Sequence, residues 1–123
     1  MGCILVVDDH PDNNEMLCRL LRCYGHRPLS AFSGEAALAL LGPEHPDLVI
    51  LDVMMPGMDG LEVLRLIRSN PSTSHLPVIL YSGISDASFT QHALQKGANE
   101  FWVKGMFDIS RLEKLVEKYV SAA

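Results

Sequence analysis

Four short apolar stretches of this chain each run into a residue able to handle an anionic group. CILVV leads into Asp8 and Asp9, DLVIL into Asp52, PVILY into Ser82 and EFWV into Lys104. Gathered in one pocket, three carboxylates, a hydroxyl and an ammonium have a definite chemistry. Crowded carboxylates repel: two unit charges about 5–6 Å apart cost about 3 kcal/mol at an effective dielectric of about 20. Such a cluster either holds protons or binds a cation. An all-oxygen donor set suits Mg2+, or Mn2+, which keeps waters and takes up a substrate oxygen. Lys104 supplies a fixed positive charge and Ser82 a hydrogen-bond donor. Together these groups equip a pocket for in-line phosphoryl transfer onto a carboxylate, where positioning and charge neutralisation do most of the catalysis. Asp52 ends the central apolar run and is the candidate nucleophile, and its acyl phosphate would be labile.

Each residue alone has a plainer explanation. An Asp after a strand is usually a helix N-cap, and a lone Ser or Lys there is usually solvated. All five occur together at strand ends, which isolated caps and solvated side chains do not account for. His10 adjoins the acidic pair and is expected to be a solvated residue at a helix start. Met54, Met55 and Met58 are expected to pack a loop rather than hold a soft metal. Neither G-x-x-x-x-G-K-[ST] nor G-x-G-x-x-G occurs, which argues against ATP or a dinucleotide as direct substrate.

The elements that would position these groups alternate along the chain. Ile4 to Val7 is continuously apolar, as expected of a strand buried on both faces. Met16, Leu17, Leu20, Leu21 and Tyr24 recur at helical spacing before Gly25. Leu29 to Phe32 is a weaker, edge-type strand, and Ser33 caps a helix expected to end at Gly42-Pro43. Leu48 to Leu51 is the second strong strand. The loop VMMPGMDG then leads to a helix over about Leu61 to Arg68. Val78 to Tyr81 and Phe101 to Val103 are strands. Between them, Ala87 to Gln95 is a short helix with a thin apolar face of Phe89, Ala93 and Leu94, stopped by Gly97. Leu112, Leu115, Val116 and Tyr119 mark a final amphipathic helix. Strands separated by helices imply right-handed crossovers, hence an α/β fold with a parallel sheet covered on both faces. Ligands of such sheets bind beyond the carboxyl ends of the strands, where all five candidate residues lie.

The bulk numbers agree. A chain of 123 residues is one domain's worth, and 48% hydrophobic residues suffice for a core. A net charge of −5 argues against a nucleic-acid surface. Cys3, Cys18 and Cys23 form no C-x-x-C pair and are expected to be reduced thiols in the cytoplasm. No apolar run reaches membrane-spanning length, and no signal peptide is evident. A single unit over residues 1–123 without an output domain is the expectation.

The segments ILVVDD, SGEAAL, PDLVILDVMMPGMDG, PVILYSG and GANEFWVKG closely resemble the receiver domain of bacterial two-component response regulators. The resemblance covers essentially the whole chain, and the third segment is its most specific part. It implies a flavodoxin-like receiver fold with five parallel strands in the order 2-1-3-4-5. By motif position, Asp52 resembles the phosphoacceptor. Asp8 and Asp9 resemble the acidic pair that holds Mg2+, helped by Asp52 and the backbone carbonyl of Met54. Ser82 matches the switch hydroxyl, Lys104 the signature lysine and Phe101 the aromatic switch position. The implied donor is a sensor histidine kinase or a histidine phosphotransfer protein. The implied readout is a downstream protein binding the face of the fourth helix, fifth strand and fifth helix. Direct nucleic-acid or membrane contact is not implied. One departure stands out: the family usually has proline after the lysine, often in cis, whereas here it is Gly105.

Two rival readings compete with this one. An Asp-nucleophile phosphatase of the haloacid dehalogenase type needs an acid two residues after its nucleophile. Met54 stands there for Asp52, His10 for Asp8 and Pro11 for Asp9. A degenerate receiver, acting only as an interaction module, conflicts with the complete set of acids, hydroxyl and lysine. The expectation is a switch and not an enzyme, though one that promotes its own phosphorylation and dephosphorylation.

Overall fold

The apolar runs become the strands of one parallel sheet. A computed structural model describes residues 2–83, 87–103 and 109–120. The strands are Cys3–Val7 (β1), Arg27–Ala31 (β2), Leu48–Asp52 (β3), Val78–Ser82 (β4) and Glu100–Val103 (β5). The helices are Pro11–Cys23 (α1), Gly34–Glu44 (α2), Gly60–Ser69 (α3), Ala87–Gln95 (α4) and Ile109–Val120 (α5). The sheet order is β2-β1-β3-β4-β5, and every pairing is parallel.

Strand side chains alternate between two cores, as the period-2 geometry requires. Leu5, Val7, Val49, Leu51, Val78, Leu80 and Phe101 face one cluster, which also takes Ala37 and Leu41 of α2, Val63, Leu64 and Ile67 of α3, and Ala93 of α4. Ile4, Val6, Leu48, Ile50, Ile79, Tyr81 and Trp102 face the other, with Leu17, Cys18 and Leu21 of α1 and Leu112, Val116 and Val120 of α5. Burial on both faces explains why β1, β3 and β4 read as unbroken apolar runs.

The cap anticipated at Ser33 forms, its Oγ accepting the Ala36 N–H at 3.1 Å. Asp59 caps α3, its Oδ1 accepting the Glu62 N–H at 3.0 Å. Several boundaries differ. The second strand begins at Arg27 and stops at Ala31, because its register follows β1 from Cys3 to Val7. Phe32 lies outside it and is exposed. Helix α2 runs past Gly42 and Pro43 to Glu44. Proline disrupts the bond to the carbonyl four residues earlier, but here Pro43 lies in the last turn and the residue it leaves is the exposed Ala39. The stop is His45, at φ 47° in the left-handed region, whose N–H donates to Leu41 O. On α4, Ala93 is fully buried and Phe89 packs on the core, but Leu94 points outward and is exposed. Met55 is buried and Met58 packs on the core, whereas Met54 is exposed.

Candidate functional site

The carboxyl ends of β1 and β3 put the acids side by side. The last paired residues are Val7 and Leu51, so Asp8 and Asp52 each stand at the end of that register. Neither Asp8 nor Asp52 has any exposed surface, and Ser82, at the end of β4, is equally buried. Ligand atoms of Asp8, Asp9, His10 and Asp52 all lie within 4.8 Å of one another.

The turn after β1 is held by its own backbone. Asp8 Oδ1 accepts the His10 N–H at 2.9 Å. The Asp52 side chain is held in a similar way: Oδ1 accepts the Met54 N–H at 3.1 Å. Helix α3 starts directly against this strand end. A Cβ on Gly60 would lie 2.3 Å from Asp52 O and 2.7 Å from Val53 Cα, so only glycine permits the approach. The Gly60 N–H donates to Val53 O at 2.9 Å.

Three residues at the site were not read from the sequence in their actual roles. Tyr81 on β4 is buried, and its hydroxyl donates to Asp8 Oδ2. Burial foremost, then this bond and the negative charges of Asp8, Asp52 and Asp9, push its phenol pKa far above the ordinary range. The signal was a tyrosine inside an aliphatic strand, since a buried phenol normally finds a hydrogen-bond partner. Asn14 of α1 is also buried, and its Nδ2 lies within hydrogen-bond distance of the carbonyls of Val6, Asp8 and Ala31. Its signal was a polar residue on the same helix face as Leu17, Cys18 and Leu21. His10 is mostly exposed, as expected, but its ring turns back to the acids. Nδ1 is 3.5 Å from Asp8 Oδ1 and 3.4 Å from Asp9 Oδ1.

Phe101 lies on the opposite sheet face from Tyr81. It pairs with Leu80, two register steps before the Ser82–Val103 pair. Ser82 therefore shares the Phe101 face by strand alternation. Phe101 is buried and meets Phe89 of α4 edge-on, with centroids 5.8 Å apart. Lys104 and Gly105, including the bond between them, lie outside the described residues.

The donor set fits a small hard cation. Carboxylates dominate it, and Asp9 Oδ1 is shut off from solvent while accepting no hydrogen bond. Residues 4–117 match the sequence profile of the response regulator receiver domain. This chain belongs to that family. It is 38% identical to the response regulator PleD of Caulobacter vibrioides over 106 residues, which is 86% of this chain and 23% of PleD. A 14.6 kDa protein of Leptolyngbya boryana is 37% identical over 119 residues, 97% of this chain and 90% of its own. The receiver domain of NtrX from Brucella abortus superposes with a TM-score of 0.88 at 33% identity, covering 98% of this chain and 99% of that one. The chain thus spans about a quarter of the length of PleD and nearly the whole of the other two. Receiver domains are phosphoacceptor switches of two-component signalling. They interact with histidine kinases or phosphotransfer proteins and with downstream effectors. Among the described residues, no helix is long and apolar enough to cross a membrane.

Proposed function

We propose that this receiver accepts a phosphoryl group on Asp52 from a phosphohistidine of a sensor kinase or phosphotransfer protein. An Asp52 carboxylate oxygen attacks phosphorus and the N–P bond breaks. The imidazole leaves and takes a proton. The convergence of Asp8, Asp9 and Asp52 at one sheet edge carries this reading. Asp8, Asp9, Asp52 and the Met54 carbonyl would hold Mg2+, with Mn2+ as a substitute. When bound, the ion supplies charge neutralisation for the incoming phosphoryl oxygens.

The chain's own groups do the positioning. The Met54 N–H fixes the acceptor carboxylate, so that Asp52 presents its oxygen without a search over rotamers. Ser82 donates to a phosphoryl oxygen and Lys104 neutralises another. Ser82 and Phe101 share one sheet face, so a shift of the hydroxyl toward the phosphoryl group frees space on the Phe101 side. The α4–β5–α5 face is then repacked, and a downstream protein reads it. This is a population shift between two packings, biased by new charge. The domain works in the cytoplasm, without touching nucleic acid. It is a switch rather than a multiple-turnover enzyme, though it promotes its own phosphorylation and dephosphorylation.

Incubation with Mg2+ and acetyl phosphate tests this directly. Intact-mass analysis should show one added phosphoryl group on the wild-type protein and none on Asp52→Asn. Equal labelling of the two would overturn the assignment of Asp52.

A further inference from the structure

Tyr81 reaches the acidic pocket from a position that the acceptor chemistry leaves unassigned. It is the register partner of Asp52 on the neighbouring strand, so the two side chains leave the same face of the sheet. From there its hydroxyl extends past β3 and donates to Oδ2 of Asp8, just beyond the end of β1. Asp8 is wholly buried, and its other oxygen accepts the His10 N–H. The phenol ring is held between the sheet and the α1–α5 layer, with its centroid 6.2 Å from that of Trp102.

A carboxylate that accepts a hydrogen bond at each oxygen is both oriented and partly neutralised. Its negative charge is shared with the donors, so less is left to attract a cation. The same bond lowers the cost of holding Asp8 beside Asp9 and Asp52 when no metal is bound. We propose that Tyr81 is a positioning residue that holds Asp8 and tempers its charge, setting the Mg2+ affinity of the pocket below that of an acidic cluster lacking this donor. The proposal rests on the reading of Asp8, Asp9 and Asp52 as the Mg2+-holding acids. It assigns Tyr81 a task distinct from core filling. A ring that merely filled space would leave metal affinity alone when its oxygen is removed.

Two substitutions move the hydrogen bond in opposite directions. Tyr81→Phe removes the donor and keeps the ring. Replacing Tyr81 with 3-fluorotyrosine keeps the shape and makes the hydroxyl a stronger donor. Mg2+ affinity is read by calorimetry, with Trp102, the single tryptophan, as an optical check. Tyr81→Phe should tighten Mg2+ by about 2- to 10-fold and lower the melting temperature in EDTA. The fluorinated side chain should weaken Mg2+ binding. If the wild-type protein binds Mg2+ and Tyr81→Phe binds it equally or more weakly, the role of Tyr81 is overturned while the metal reading stands. If the wild-type protein shows no Mg2+ binding, the metal reading fails and takes this proposal with it. Should Tyr81→Phe fail to fold, the fluorinated protein decides alone. Unchanged or tighter Mg2+ binding there would overturn the proposal.

Discussion

Asn14 Nδ2 lies 3.1 Å from the carbonyl oxygen of Ala31, tying the start of α1 to the end of β2. The same nitrogen is 3.2 Å from Asp8 O and 3.4 Å from Val6 O, and the Asp8 N–H donates to Ala31 O at 3.1 Å. One buried amide therefore pins the turn that carries both N-terminal acids. Asn14→Ala would leave these carbonyls short of a donor in the interior. It should cost about 1–3 kcal/mol of stability, seen as a lower urea midpoint. Because Asp8 and Asp9 lose their anchor, Mg2+ affinity should fall as well. A substitution that lowers stability but leaves Mg2+ affinity intact would show that the turn holds itself.

The three acids should repel when no cation is present. Asp52→Asn or Asp9→Asn should raise the melting temperature in EDTA while abolishing phosphorylation or metal binding respectively. Added Mg2+ should narrow the gap by stabilising the wild-type protein more. An unchanged or lower melting temperature of both variants in EDTA would mean the repulsion is already relieved.

Tyr81 gives the protein an alkaline limit. Its folded-state pKa is raised by burial, by its bond to Asp8 and by the neighbouring carboxylates. The stability tied to that shift is complete below the unfolded phenol value, about 10, and is lost as pH rises above it. Tyrosinate absorbance during an alkaline titration should show the Tyr81 step only together with unfolding. In Tyr81→Phe that coincident step should be missing. A Tyr81 ionisation well before unfolding would contradict its burial.

Arg68 closes the far end of the sheet. Its Nε and Nη2 donate to Gly97 O at 3.0 and 2.8 Å, its Nη1 to Leu76 O at 2.6 Å and its Nη2 to Asn99 Oδ1 at 2.9 Å. Asn99 Oδ1 also accepts the Val78 N–H at 2.9 Å. Lysine cannot reproduce a planar fork that reaches three acceptors. Arg68→Lys should cost about 1–3 kcal/mol and speed amide exchange at Val78 and Asn99. Exchange at wild-type rates would mean that Asn99 holds β4 and β5 together unaided.

How much of this was legible in the chain follows from where each constraint lies. Strands β1, β3 and β4 are buried on both faces, so nearly every residue in them is apolar and the runs could be read. Strand β2 is an edge, and its Arg27 start is polar, so its bounds slipped by two residues at the N-terminal side. The end of α2 was misplaced because Pro43 falls in an exposed last turn, where water can serve the carbonyl it leaves. Asp8, Asp9, Asp52 and Ser82 stood out because charge or a hydroxyl interrupts an apolar run. Tyr81 and Asn14 did not, since each acts through a contact with a residue distant in sequence or on another element. Only the register of β3 against β4 shows that Tyr81 can reach Asp8.

The sheet acts as a wall between two compartments. Asp8, Asp52 and Tyr81 stand on the α1–α5 side, while Ser82, Phe101 and the ring of Phe89 stand on the side of α3 and α4. On the proposed function, charge would arrive in one room and be read in the other, with the end of β4 as the doorway. A small molecule wedged beside Phe101 could therefore jam the readout while phosphate still enters and leaves. Inhibition of that kind would uncouple the two halves of the switch without competing with the metal or the phosphodonor.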